Sequence, residues 1–208
     1  MTVEKHESKD GVLYFDGSKC IHSRNCVLHR PDVFVPNVEG EWIHPENADG
    51  GELNALAENC PSGAIRFVGN SKSERKPLVN TLHIRENGPY ALSAEIEFNG
   101  QELGSRLTLC RCGASANKPY CDGSHSAINF QATGEPATKE SDVLEQRNGQ
   151  LKISPQTDGP LMLEGNLEIC SGTGRTINRV QKTFLCRCGA SANKPYCDGS
   201  HAKIDFKA

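Results

Sequence analysis

The stretch CRCGASANKPYCDGSH runs from Cys110 to His125 and returns letter for letter from Cys186 to His201. Each copy spaces three cysteines and one histidine as C-x-C-x8-C-x3-H, the four soft or borderline donors that a tetrahedral metal or iron-sulfur site needs. Side chains two apart in an extended segment point the same way, so Cys110 and Cys112 are placed to hold one metal ion from neighbouring backbone positions. Asp122 reads as the N-cap of a short helix continuing through His125, which turns Cys121 and His125, four apart, toward a second ion. Cys186, Cys188, Cys197, Asp198 and His201 repeat the arrangement. Gly113 permits close backbone approach, Pro119 stiffens the entry to Cys121, and Lys118 and Lys194 read as solvated.

Outward from these cores the chain repeats more loosely. LHIRENGPYALSAEIEF at 82–98 aligns with LKISPQTDGPLMLEGNLEI at 151–169: an alternating strand, a Gly-Pro turn and a second alternating strand. Downstream, Ile128 and Phe130 have counterparts in Ile204 and Phe206. The flanks have drifted while the sixteen-residue core is unchanged, which implies that both copies do the same chemistry unless gene conversion has kept them alike. GNSKSERKP at 69–77 and TGEPATKESD around Pro136 are polar stretches that read as linkers.

The N-terminal region holds a separate set of cysteines. GVLYFD at 11–16 reads as a strand that pairs with AIRFV at 64–68. Between them lie Cys20, Cys26 and Cys60, the last followed by Pro61 and preceded by a helical pattern with Leu53, Leu56 and Ala57 on one face. This outline resembles one half of a bacterial ferredoxin, except that Ser23 stands at the middle cysteine position of C-x2-C-x2-C. Three thiolates suit a 3Fe-4S cluster, or a 4Fe-4S cluster whose fourth iron takes solvent, Ser23, or a histidine such as His22 or His29. A ferredoxin-like fold that has lost its cluster and keeps buried cysteines is the bland alternative. Phe34, Trp42 and His44 read as packing or surface residues. Cys170 reads as a strand-end thiol outside any motif.

Composition favours several small domains over one large core: 208 residues are only 36% apolar and include 20 glycines and 11 prolines. The N-terminus MTVEKHESKDGVLYFD carries charge throughout, so no secretory signal or membrane anchor is read there, and a cytoplasmic setting with reduced, metal-binding thiols is expected. A net charge of -3 gives no electrostatic reason to expect nucleic acid or an anionic membrane as partner.

The pattern C-x-C-x2-S-x3-P-x-C-D-G-S-H, complete at 110–125 and again at 186–201, resembles the CDGSH iron-sulfur domain of the NEET proteins. The resemblance implies a small β-rich fold with one 2Fe-2S cluster per motif. Its ligands here are Cys110, Cys112, Cys121 and His125, and Cys186, Cys188, Cys197 and His201. Many family members are homodimers with one motif per chain, so two motifs imply a monomer with an intrachain pseudo-twofold. The leader resembles the divergent single-cluster domain found near such motifs, with Cys20, Cys26 and Cys60 as its ligands.

The expected fold class is therefore α+β and multidomain. It comprises a ferredoxin-like α/β leader at 1–70, a linker at 71–77, a CDGSH domain at 78–135, a linker at 136–148 and a second CDGSH domain at 149–208. Three thiolates and a neutral imidazole leave one negative charge on an oxidised two-iron core, one fewer than four thiolates, which eases reduction. Protonating the imidazole removes a ligand, so acid should loosen the site. The expected role is electron transfer or pH-sensitive cluster storage and transfer, toward a redox-partner or cluster-acceptor protein. The alternatives are a structural zinc site and a redox-partner subunit for an unidentified enzyme. Autonomous catalysis is not expected, because no Ser-His-Asp grouping, phosphate loop or nicotinamide fingerprint appears.

Overall fold

The computed structural model describes residues 3–70 and 75–208, which are mostly β with a few short helices, and the chain divides into two compact units between Arg75 and Lys76. Most of the linker read at 71–77 falls on residues 71–74, outside the described residues.

In the first unit the elements are β1 (Glu4–Ser8), β2 (Gly11–Phe15), α1 (Asn25–His29), α2 (Gly50–Glu58) and β3 (Ile65–Gly69). The strands form an antiparallel sheet in the order β1-β2-β3, with Val12 opposite Val68 and Phe15 opposite Ile65. β1 is a strand that the sequence did not advertise. Its side chains are largely exposed, so EKHES carries no apolar alternation, and it is held through its backbone along β2. α2 opens with a capping box: the Asp49 carboxylate accepts from Glu52 N–H at 2.9 Å and the Glu52 carboxylate accepts from Asp49 N–H at 2.9 Å. Its apolar stripe, Leu53, Leu56 and Ala57, is buried in one core with Leu13, Phe15, Ile65 and Phe67. Trp42 packs edge-on against Phe15 and Phe34.

The second unit holds β4 (Thr81–Ile84), β5 (Tyr90–Phe98), β6 (Gln101–Leu109), α3 (Ser124–Ala127), β7 (Gln150–Pro155), β8 (Leu161–Cys170), β9 (Thr176–Leu185) and α4 (Ser200–Lys203). The two repeats, expected as separate small domains, contribute to one six-stranded sheet. β4 pairs antiparallel with β5 of its own repeat and parallel with β8 of the other, Leu82 facing Ile169. β7 reciprocates, antiparallel to β8 and parallel to β5, with Leu151 facing Ile96. Each long strand thus gives one edge partly to its own hairpin and partly to the other repeat. The physical reason is core size: a repeat of about 60 residues buries too small a fraction of its surface to be robust alone. Pooled, Leu82, Ile84, Leu92, Ile96, Leu151, Ile153, Leu163 and Ile169 make one buried cluster.

The stretch at 136–148 is more than a tether. Lys139 N–H donates to the Ile177 carbonyl at 2.8 Å, Arg179 N–H donates to the Ser141 hydroxyl at 3.1 Å, and Arg147 Nε donates to the buried Glu168 carboxylate at 2.6 Å. Its polar composition satisfies β8 and β9, which is why it looked like a linker. Asn80 fastens the same region from the first repeat. Fully buried, its Nδ2 donates to the Gly149 carbonyl at 2.8 Å and the Asn166 carbonyl at 2.9 Å. Asn80→Ala strands both carbonyls and should cost about 2 kcal/mol, seen as a thermal midpoint lowered by about 4–8 °C. An unchanged midpoint would remove this bridge from the account of how the repeats are joined.

Candidate metal centres

β6 and β9 each deliver a cysteine loop. After β6, Cys110 N–H donates to the Pro119 carbonyl at 2.9 Å and Cys121 N–H to the Thr108 carbonyl at 3.1 Å, so the loop folds back on the strand that launched it. The second copy repeats this with Cys186 to Pro195 and Cys197 to Phe184, both at 2.9 Å. Within each loop a serine staples the ends. Ser115 Oγ donates to the Tyr120 carbonyl at 2.7 Å and accepts from Asn117 N–H at 3.0 Å, and Ser191 does the same toward Tyr196 and Asn193. The Lys118–Pro119 and Lys194–Pro195 bonds are cis.

The helix start differs from the expectation. Gly123 and Gly199 occupy the cap positions with φ 87° and 84°, leaving Asp122 and Asp198 one residue earlier. Asp122 still serves the helix, accepting from Ser124 N–H at 3.0 Å, and its second oxygen accepts from Ala116 N–H at 2.8 Å. It therefore ties the helix to the cysteine loop, a link that Asp198 copies to Ala192 and Ser200. Lys118 and Lys194, read as solvated, instead donate to the Ser115 and Ser191 carbonyls.

These scaffolds bring the donors into pairs. Cys110 and Cys112 sulfurs lie 3.8 Å apart and Cys186 and Cys188 3.6 Å; Cys121 Sγ lies 3.6 Å from His125 Nδ1 and Cys197 Sγ 3.4 Å from His201 Nδ1. Two sulfurs about 2.3 Å from one tetrahedral ion lie about 3.8 Å apart, and a sulfur and an imidazole nitrogen on one ion about 3.6 Å. Each pair is therefore spaced for a shared ion, through Nδ1 of each histidine. The donors of each motif thus fall in two pairs, sulfur with sulfur and sulfur with Nδ1.

The thiols differ in proton affinity. The hydrogen bond from Cys110 holds the Cys112 thiol down to about 6 and, together with burial, raises Cys110. Burial raises Cys121, and in the second motif it raises Cys188. Backbone N–H groups already point at sulfur, Ala114 to Cys112 at 3.4 Å and Gly199 to Cys197 at 3.5 Å, the contacts that stabilise a bound thiolate.

Three features escaped sequence reading. Arg111 and Arg187, between the paired cysteines, are only 1% and 3% exposed. Arg111 donates to the carbonyls of Ala132 and Thr133, and Arg187 to those of Gly159 and Gln156. Neither is ion-paired to a carboxylate among the described residues. Burial lowers the proton affinity of both guanidiniums; Tyr90, Glu86, Cys186 and Cys112 oppose this for Arg111, and Cys110 and Asp158 for Arg187. A buried cation facing thiols fits a site that becomes anionic when loaded. The second feature is Tyr90, fully buried, whose hydroxyl lies within bonding distance of the Cys186 and Pro195 carbonyls of the other motif at 2.9 and 3.0 Å. The third is the partner of the close approach read at Gly113: Gly113 meets Cys188 of the other motif, and Gly189 meets Cys112 in return. Arginine and glycine stand identically in both copies of the motif, but nothing local says that they are buried or where they touch.

In the first unit Cys20, Cys26 and Cys60 line one cavity of about 610 Å3 together with His22, Ser23, Val38 and Trp42. Burial raises Cys20 and Cys26, and the neighbouring Cys60 adds to both. His29 bonds the Asn25 carbonyl at 2.8 Å and is not part of that wall. Cys170 is buried at the end of β8, away from the paired donors.

Paired sulfur and imidazole donors on the loops that follow β6 and β9, twice over, define the class of protein as metal-binding. Residues 87–126 and 158–202 match the family described as iron-binding zinc finger, CDGSH type, and residues 8–70 match the divergent 4Fe-4S mono-cluster family. The chain belongs to the CDGSH iron-sulfur domain family, with a divergent 4Fe-4S mono-cluster domain ahead of its two motifs, and is an iron-sulfur protein. It is 27% identical over 219 residues to a protein of Nitratidesulfovibrio vulgaris, covering 97% of this chain and 50% of that one. It is 38% identical over 60 residues to CDGSH iron-sulfur domain-containing protein 1 of Bos taurus, 29% of this chain and 52% of that one. It is 34% identical over 56 residues to the uncharacterized protein YjdI of Escherichia coli, 26% of this chain and 71% of that one. The chain spans about half the length of the first of these curated relatives. No helix among the described residues is long and apolar enough to cross a membrane.

Proposed function

We propose that each CDGSH motif binds one 2Fe-2S cluster, through Cys110, Cys112, Cys121 and His125 and through Cys186, Cys188, Cys197 and His201. We propose further that the chain carries electrons or hands clusters to an acceptor protein. The observation that carries the reading is the division of each motif into two donor pairs, sulfur with sulfur and sulfur with Nδ1, each spaced for its own ion. The alternative, a mononuclear zinc site, needs all four donors on one ion, and the metal content of the purified protein separates the two. Bound clusters would supply one-electron chemistry. The residues of the chain do the rest: the cysteine pairs hold their end by charge, Ala114 and Gly199 N–H groups steady the sulfurs, and each histidine offers a neutral, protonatable end.

The leader, with Cys20, Cys26 and Cys60 around its cavity, holds a third cluster of 3Fe-4S or 4Fe-4S type. The reciprocal pairing of β4 with β8 and β7 with β5 supports an intrachain pseudo-dimer, so the working unit is a monomer in the cytoplasm. The protein acts as a carrier rather than an enzyme, with no nucleic-acid or membrane partner.

Anaerobically purified protein should be red-brown and hold about four irons on the two motifs, with more if the leader is loaded. Replacing His125 with cysteine adds a negative ligand and removes the protonatable one. The cluster should persist, its potential should fall by on the order of 100 mV, and release in acid should slow. Colourless protein containing zinc, or acid release unchanged in His125→Cys, counts against the assignment.

A further inference from the structure

The two CDGSH motifs are identical over sixteen residues, yet their surroundings differ at a buried position. Gly88, Pro89 and Tyr90 of the first repeat match Gly159, Pro160 and Leu161 of the second. Tyr90 stands opposite Leu109, just before Cys110, and Leu161 stands opposite Leu185, just before Cys186; both are fully buried. Resting on the reading above that each motif holds a cluster, we propose that Tyr90 is a positioning residue for the second motif, reaching across from the first repeat to fix Cys186, and that the first motif holds its cluster without such help.

The hydroxyl sits where the second loop closes. Tyr90 Oη donates to the Cys186 carbonyl at 2.9 Å and to the Pro195 carbonyl at 3.0 Å, and the Pro195 carbonyl also accepts from Cys186 N–H at 2.9 Å. Both main-chain groups of Cys186 are therefore tied, its N–H to Pro195 and its carbonyl to Tyr90, which holds the residue whose sulfur lies 3.6 Å from that of Cys188. The ring lies under Arg111 of the first motif, 5.9 Å from guanidinium carbon to ring centroid, so the first repeat sets its place. The first loop is closed by the matching bond from Cys110 N–H to the Pro119 carbonyl, also at 2.9 Å, but Leu161 has no hydroxyl to offer the Cys110 carbonyl. Removing the Tyr90 oxygen deprives the buried Cys186 carbonyl of its donor. Losing an outer contact of this kind costs about 10–100-fold in metal affinity.

The test follows iron release to a chelator at pH 7, by visible absorbance, from the anaerobically purified full chain and from its Tyr90→Phe and Tyr90→Leu variants. Each is measured with and without His125→Cys, which alters the absorbance of the first motif alone and so tells the two motifs apart. Tyr90→Phe should speed release from the second motif by about tenfold or more and change the first motif's rate far less. Tyr90→Leu, which installs the residue of the other repeat, should do the same. The first motif reports on the shared sheet, so a selective change separates positioning from general loosening. The proposal is overturned if the second motif keeps the parent's rate, or if both motifs lose iron alike. A parent with no iron on either motif would instead sink the cluster reading together with this one.

Discussion

Alanine in place of Gly189 should strip iron from the first motif as well as from the second, with a loss of folding stability of about 2–5 kcal/mol. Gly189 follows Cys188 at φ 81°, and a Cβ built on it falls on the carbonyl oxygen of Cys112, 2.9 Å from the carbonyl carbon and 3.3 Å from the Cα of that residue. The contact is returned: a Cβ on Gly113, at φ 82°, would lie 2.5 Å from the Cys188 oxygen and 3.1 Å from its Cα. Backbone meets backbone here, so no side chain can swing aside. Relief must move a residue whose sulfur is one of a pair set 3.8 or 3.6 Å apart. The left-handed conformation alone costs alanine about 1–2 kcal/mol, and overpacking adds about 1–3 kcal/mol.

Gly123 and Gly199 supply the control, since they share the positive φ, at 87° and 84°, but nothing lies within 4 Å of an added Cβ. Alanine there should cost only the conformational part and leave both motifs loaded. If Gly189→Ala retains iron as fully as Gly199→Ala, the two ligand loops are not coupled through this contact.

Such coupling was beyond the reach of the sequence, and the reason is instructive. In the first repeat the strand that follows the Gly-Pro turn declares itself by strict alternation: in β5, Tyr90, Leu92, Ala94, Ile96 and Phe98 face inward. The ligand spacing likewise depends on short-range geometry, two residues in an extended segment and four across a helix start, and the structure sets those side chains 3.4–3.8 Å apart. The parallel pairings of β4 with β8 and β5 with β7 join residues far apart in the chain, and no local periodicity encodes them. β1 stayed hidden because its side chains are not buried, and 136–148 looked like a tether because polar residues there bond to strands rather than to water. Arg111 and Arg187 escaped because a charged residue is expected outside unless paired.

Those two arginines carry the second large prediction. A guanidinium that is 1% exposed, donates to two carbonyls and lies over the Tyr90 and Phe130 rings has no carboxylate paired with it, and only Tyr90, Glu86 and the cysteines support its charge against burial, a costly arrangement in a fold of ordinary stability. On the proposed ligation, the thiolates of a loaded motif would add negative charge beside it, and besides Tyr90 and Glu86 Arg111 feels cysteines of both motifs, Cys186 of the other and Cys112 of its own. Reduction adds one more negative charge to a site. A buried positive charge roughly 10 Å away at an effective dielectric constant of about 20 favours the reduced form by about 1.7 kcal/mol, or roughly 70 mV. Arg111→Gln should therefore lower the reduction potential by on the order of 50–100 mV, and because its field reaches Cys186 the second motif should fall too, by less. The sign follows from charge alone: removing a cation destabilises the more negative state. Lys152→Gln on the exposed side of β7 should move neither potential measurably, being screened by water. Unchanged or raised potentials in Arg111→Gln, with both motifs still loaded, would mean that the buried guanidinium serves only to cap the Ala132 and Thr133 carbonyls.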